Sequence, residues 1–222
     1  MGPRVRDALL LTLTAAAGSA DAVSYLGLGR VFTANMTGNL VLLGITIGQG
    51  QLAGSIRSVI AFAGFVLGIL VGVRVTARTE PTAVWPRSAT LALVGELGLL
   101  LALLAGWEIT GDRPGAVALD ILIALSAGAM GMQTAAARRL GLVGVTTTFV
   151  TGMLTSLIAE LAAMGPGRSH RAIWAATLAC MVIGAAVGAA VFVAWRPGAP
   201  LVPLLLVGMV IAAAIWLTQP GD

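Results

Sequence analysis

Apolar residues come in long runs, broken by short polar punctuation, at roughly 8–28, 36–48, 55–73, 88–106, 116–136, 147–163, 172–194 and 201–217. A helix needs about 20 apolar residues to cross a hydrocarbon layer about 30 Å thick. Six of the runs meet that need. The second and sixth are shorter, roughly 20–25 Å if fully helical at about 1.5 Å per residue. Each follows a Gly-containing, β-branched stretch, 27–34 and 141–148, that reads as extended chain. The pattern therefore predicts an all-α integral membrane protein, a single transmembrane domain over 1–222, with six full transmembrane helices and two short re-entrant or half helices.

The two halves of the pattern repeat. Thr37-Gly38 opens the second run and Thr151-Gly152 the sixth, while Arg57 opens the third and Arg171 the seventh, both at an offset of 114. The row Gly64, Gly68, Gly72 returns as Gly184, Gly188 at an offset of 116, and Gly18 returns as Gly128 at 110. Several matches in order at nearly one offset indicate pseudo-repeats, 1–110 and 111–222.

Arginine placement bears on direction. If all eight runs cross, the arginines divide evenly between the two sides. If the second and sixth return to the side they entered, Arg4, Arg6, Arg74, Arg78, Arg87, Arg138, Arg139, Arg168 and Arg171 lie inside, against Arg30, Arg57, Arg113 and Arg196 outside. That bias obeys the positive-inside rule. Three crossings per half then make the repeats inverted, an arrangement found in transporters with the site at the repeat interface. Both termini are expected in the cytoplasm, in an inner (plasma) membrane. Arg4 and Arg6 ahead of an apolar run, with small residues at 17–20, resemble a cleavable leader. The run resumes at 22–28 and has a counterpart in the second half, so a retained first span is expected.

Composition agrees and narrows the chemistry. The chain is 58% hydrophobic and 10% charged, against roughly 25% charged in a soluble domain. The net charge of +4 comes from arginines scattered between apolar runs, not from a basic stripe, so no nucleic-acid partner is expected. Cys180 and His170 are the sole cysteine and histidine. A zinc centre needs several such ligands, and a Ser–His hydrolase would have only His170 as base. No metal or cofactor is expected, and an enzyme is the weaker reading. The five tryptophans, Trp85, Trp107, Trp174, Trp195 and Trp216, stand near run ends and predict an interfacial belt.

The stretch richest in candidate chemistry is Asp21, Ser24, Tyr25, Arg30, Thr33, Asn35, Thr37, Gly38 and Asn39. It resembles the signature of the YoaK-like family of bacterial polytopic membrane proteins, whose function is unassigned. The resemblance is close over 21–39 and loose over the remaining apolar pattern. It implies a polytopic membrane protein and no mechanism.

The physical reading of the stretch goes further. Asp21 lies near the middle of the first span, where a carboxyl faces a polar cavity or a partner. It is either a proton- or cation-coupling group or substrate contact, or a structural carboxyl, protonated or paired with Arg30. Asn35, Thr37 and Asn39, with Gly38, stand at the start of the short helix, where Asn and Thr cap free N–H groups. Thr147, Thr148 and Thr151, with Gly152, stand at the start of its counterpart. Two facing helix starts would form an anion site, whereas the bland alternative is that these residues only satisfy a broken backbone. Ser24, Tyr25 and Arg30 complete the candidate lining. Gln133 and Thr134 either close the cavity wall or bond helix to helix. Glu96, in mid-span, is either a second proton-coupling candidate beside Asp21 or the partner of an arginine from elsewhere in the chain. Asp120 and Glu160 lie near span ends and take no role. The glycine rows suit close packing within one chain, with a homodimer as the other use.

The leading expectation is a small secondary transporter of a small anion or polar metabolite, embedded in the lipid bilayer, with its site between two half-helix N-termini. The alternatives are a membrane-embedded lipid-phosphate enzyme and a structural or regulatory membrane subunit. The last requires polar residues that face other helices with no cavity between them.

Overall fold

The computed structural model describes residues 1–77, 84–111, 114–140, 150–162 and 168–218. Eight helices make up these residues: α1 Pro3–Gly27, α2 Met36–Gly48, α3 Leu52–Thr76, α4 Arg87–Thr110, α5 Ala116–Arg139, α6 Val150–Ala162, α7 Arg168–Ala194 and α8 Leu201–Thr218. Among the described residues there is no strand. Six helices, all but α2 and α6, are long and apolar enough to cross a membrane. The short pair have 13 residues each, about 20 Å of helix. Pro3 starts α1 in the first turn, where its missing N–H is no loss. Gly111 ends α4 in the left-handed conformation that a helix C-terminus favours.

α1 and α5 form the centre. Their apolar windows are 67% and 61% buried, against 17–33% for the other four spans. They are also the least apolar of the six, because a helix surrounded by protein has little lipid to face. Small side chains replace bulk there. Ala16, Ala17, Gly18, Ser19 and Ala20 are buried on α1, and Ser126, Ala127, Gly128, Ala129 and Gly131 on α5.

The glycine rows meet these two helices. Gly184 lies against the backbone of Ala15, and Gly188 against Ser19. Likewise Gly64 meets Ala124, Gly68 meets the carbonyl of Gly128, and Gly72 meets Met132 and Ala135. Small residues allow this backbone approach, which is the main source of helix–helix packing where lipid is the solvent. The rows therefore serve packing within the chain. Residue numbers rise together across both contacts, so α7 runs parallel to α1, and α3 parallel to α5.

Other contacts fix the remaining directions. α4 is antiparallel to α5, with Gly106 beside Leu122 and Gly95 beside Met132. α2 is antiparallel to α3, joined by Ser55 Oγ and Thr46 Oγ1 at 3.0 Å. α1 opposes α5, since Gln133 bonds Leu13 while Ser126 bonds Thr33. Consequently the C-terminal ends of α1, α2, α4 and α7 gather with the N-terminal ends of α3, α5 and α8. This end of the bundle carries Arg57. The opposite end carries Arg138 and Arg139.

Two sequence expectations need correction. Residues 27–34 are not plain extended chain: Gly27 is the last residue of α1, and the chain then reverses through Gly29 (φ 80°) and Arg30 (φ 63°). The counterpart 141–148 lies outside the described residues. The tryptophan belt is also partial. Trp195 and Trp216 are exposed, whereas Trp85 is buried and Trp107 packs inside the bundle against Gly27 and Phe192.

Candidate functional site

Past Gly27 the chain turns back along the helix it has just left. Two successive left-handed residues make the reversal, Gly29 without strain and Arg30 with some, since a side chain disfavours that region. Residues 31–35 thereby reach the level of Asp21, and α2 starts from there.

This segment has no neighbouring strand or helical turn for its backbone. An unpaired N–H or C=O away from water costs several kcal/mol. Side chains of α1 and α2 supply the partners. Asp21 Oδ1 accepts the N–H groups of Thr33 at 2.8 Å and Ala34 at 2.7 Å, with that of Asn35 at 3.4 Å. Ser24 Oγ donates to the carbonyl of Val31 at 3.0 Å. Asn39 binds Phe32 twice: its Oδ1 accepts the Phe32 N–H at 2.9 Å, and its Nδ2 donates to the Phe32 carbonyl. Asn35 is the N-cap of α2, accepting the Gly38 N–H at 3.2 Å. Ser126 Oγ on α5 meets Thr33 Oγ1 at 3.0 Å and ties the segment to the bundle centre. Asp21, Ser24, Thr33, Asn39 and Ser126 are all buried.

The start of α2 thus already has an acceptor beside it. Its positive dipole end and free amides suit an anion, and the Asp21 carboxyl group sits just ahead of that end, on the amides of residues 33–35. In the first turn, only the amides of Met36 and Thr37 lack a partner among the described residues. The pairing of Asp21 with Arg30 is not found. Arg30 is exposed on the far side of the turn, and the partners of Asp21 are backbone amides.

A cavity of about 680 Å³ opens on that far side, between the turn, the second half of α2 and the start of α3. Its polar lining is Tyr25, Arg30, Thr46, Gln49, Gln51, Arg57 and Ser58. Tyr25 stacks on Phe32 with ring centroids 5.1 Å apart. The Arg57 side chain packs under Gly29, where a Cβ would lie 2.9 Å from its Cδ. Its Nε is 3.8 Å from the carboxylate of Asp120 on α5. Asp120, set aside on sequence grounds, positions this arginine.

The structure therefore divides the sequence candidates. Asp21, Ser24, Asn35, Gly38 and Asn39 form one hydrogen-bonded knot. Tyr25 and Arg30 line the cavity. Thr37 is exposed on α2. Gln133 Nε2 donates to the Leu13 carbonyl at 2.9 Å, a bond between α5 and α1. Thr134 turns back to Met130 of its own helix. Glu96 is fully buried in α4, and neither carboxyl oxygen has a hydrogen-bond partner among the described residues. Thr151 and Gly152 fall in the first turn of α6, and Thr147 and Thr148 lie outside the described residues. Arg57, Gln49 and Gln51 escaped the sequence reading as ligands. The available signal was a polar cluster, Gln49 to Arg57, at the break between two apolar runs.

Comparison with known proteins agrees with this architecture. A profile for a family described as protein of unknown function (DUF1275) matches residues 9–214. The UPF0700 transmembrane protein YoaK of Bacillus subtilis (strain 168) is 39% identical over 156 residues, which cover 70% of this chain and 67% of that one. No solved structure matches. With six apolar helices of spanning length and a family match over nearly its whole length, the chain belongs to the DUF1275 family and is a multi-pass membrane protein.

Proposed function

We propose that this protein is a small secondary transporter of a small anion or polar metabolite, built from two inverted repeats that alternate access to a site between them. The observation that carries this reading is the pattern of helix contacts. α1 packs on α7 as α5 packs on α3. α4 packs on α5 as α8 packs on α1, α2 on α3 as α6 on α7, and α3 on α4 as α7 on α8. The remaining contacts, α1 with α5 and α4 with α8, join each helix to its own image. Because α1 and α5 run in opposite directions, the relation is an inversion. Half-length helices at matching places in inverted repeats are the usual setting of a transporter site.

Arginine positions support the orientation. Among the described residues, Arg30, Arg57 and Arg196 belong to one end of the bundle by helix direction, and Arg4, Arg6, Arg74, Arg87, Arg138, Arg139, Arg168 and Arg171 to the opposite end. The positive-inside rule places the Arg138 end in the cytoplasm. In this topology α2 starts within the bundle and returns to the end where α1 finished, so it is re-entrant.

The cavity is lined by residues 25–58 of the first repeat alone and is not itself the site between the repeats, but its charge supports the substrate class. Arg30 and Arg57 give it two guanidinium groups, which suit carboxylate and phosphate. Asp21 sits just ahead of the α2 start, so an entering anion meets these arginines first. The knot around Asp21 also speaks against a lipid-phosphate enzyme, since its carboxyl is engaged with three backbone amides.

The test is uptake into liposomes holding the purified protein, with radiolabelled phosphate, acetate and lactate compared with neutral analogues. Saturable anion uptake is expected. Arg57→Gln should weaken it at least about tenfold, equivalent to about 1.4 kcal/mol. No uptake of any charged solute by intact protein, or equal uptake of charged and neutral solutes, would overturn the proposal.

A further inference from the structure

Among the described residues, Glu96 is the one buried acid that the knot and the cavity leave unexplained. It lies on the inner face of α4 in helical register with Ala89, Leu93 and Leu100, all buried. The same face of α8, at the repeat offset of 114, carries Pro203, Val207, Val210 and Ala214, also buried. Position 96 therefore has Val210 as its image. The two faces occupy equivalent places in the bundle, and hydrocarbon fills the second one fully. Packing does not call for a carboxyl at 96.

The surroundings do not call for one either. Both oxygens are buried and, among the described residues, without a partner. α4 packs against α3, α5 and α8, and α8 has no titratable residue. On α5 the charged groups are Asp120, Arg138 and Arg139, turns away from Met132, which touches the neighbouring Gly95. On α3 they are Arg57, held near Asp120, and Arg74, which is exposed and turned to the Leu70 carbonyl. An ionised side chain in such a place would lack any counter-charge.

We propose that Glu96 is a proton-binding site: it holds a proton while sealed inside the bundle and exchanges it with water when the repeats move. It rests on the transporter reading for its purpose and supplies the coupling ion, a proton. The carboxylate gains H⁺ from hydronium on one side, and the O–H bond breaks to water on the other. No other reactant is required.

Infrared difference spectroscopy of the purified full-length protein tests this directly. At neutral pH the carbonyl stretch of a protonated carboxylic acid should be present, and Glu96→Gln should remove it. Glu96→Val, which copies the image residue, should fold and also lack the band. Transfer of the wild-type protein to deuterium oxide should shift the band, because the site exchanges. Absence of the band from the wild type, or its persistence in both variants, overturns proton binding at Glu96. A band that never shifts marks a sealed structural carboxyl and overturns the coupling role. Failure of solute uptake with an exchanging band would instead refute the transporter reading and leave the proton site standing.

Discussion

The carboxylate of Asp21 accepts the amide N–H of Ala34 at 2.7 Å, thirteen residues further along the chain. A single side-chain oxygen thereby holds the segment that leads into α2 against α1. Asp21→Ala should strip two or three buried amides of their acceptor and lower stability by about 2–3 kcal/mol, at the upper end of the range for an unsatisfied buried group. Asp21→Asn keeps an acceptor oxygen and should lose less than half of that. Thermal unfolding in detergent, followed by fluorescence-detected gel filtration, would rank the two variants. Equal losses would show that the hydrogen bonds are not the source.

Asn39 is the complement of Asp21, because it both donates and accepts toward Phe32. Asn39→Asp retains the acceptor and places a second oxygen against the Phe32 carbonyl. A loss of about 1–3 kcal/mol is expected. Asn39→Asp should therefore be worse than Asn35→Asp, since the Asn35 side chain only accepts. The same unfolding assay reads both, and the reverse order would refute the two-way bond.

Gly68→Ala should separate α3 from α5, because the new Cβ would fall on the carbonyl oxygen of Gly128. Overpacking of this kind costs about 1–3 kcal/mol. Gly184→Ala should do the same to α1 and α7 through Ala15. Gly98→Ala is the control: nothing lies within 4 Å of its Cβ position, and its melting temperature should be unchanged or raised.

Topology is testable with single cysteines in a Cys180→Ser background, which is otherwise free of cysteine. Gly50→Cys and Gly111→Cys should react with a membrane-impermeant maleimide added to intact cells. Arg138→Cys should react only after the membrane is opened. Labelling of Gly50→Cys on the same side as Arg138→Cys would rule out a re-entrant α2.

The apolar pattern made the helices legible to within about five residues: the run at 36–48 is α2 and that at 201–217 is α8 within one position, whereas α1 starts at Pro3, ahead of the run at 8–28, and α4 runs on to Thr110, past the run at 88–106. Helix length and hydrocarbon burial are properties of local sequence, so a one-dimensional reading captures them. The role of Asp21 was not legible, since it depends on a reversal at Gly29 and Arg30 that brings residue 34 back to residue 21. Arg57 was visible as a marker of the expected repeat and as one charge in a topology count. Its partner Asp120 was invisible as such, because only the parallel packing of α3 on α5 brings the two together. The buried place of Trp107 was likewise hidden, since it depends on three helix ends converging at Gly27 and Phe192.

The crosswise packing of α1 on α7 and of α3 on α5 also governs the order of assembly. The ribosome releases α1 first, yet its closest partner is the seventh helix made. Until α7 is inserted, the small-residue face of α1 has only lipid or a transient protein partner to cover it. Neither half can be completed from its own helices, so fragments expressed alone would be left with open faces. Separate chains ending and starting in the loop after α4 should accumulate only when produced together in the same cell.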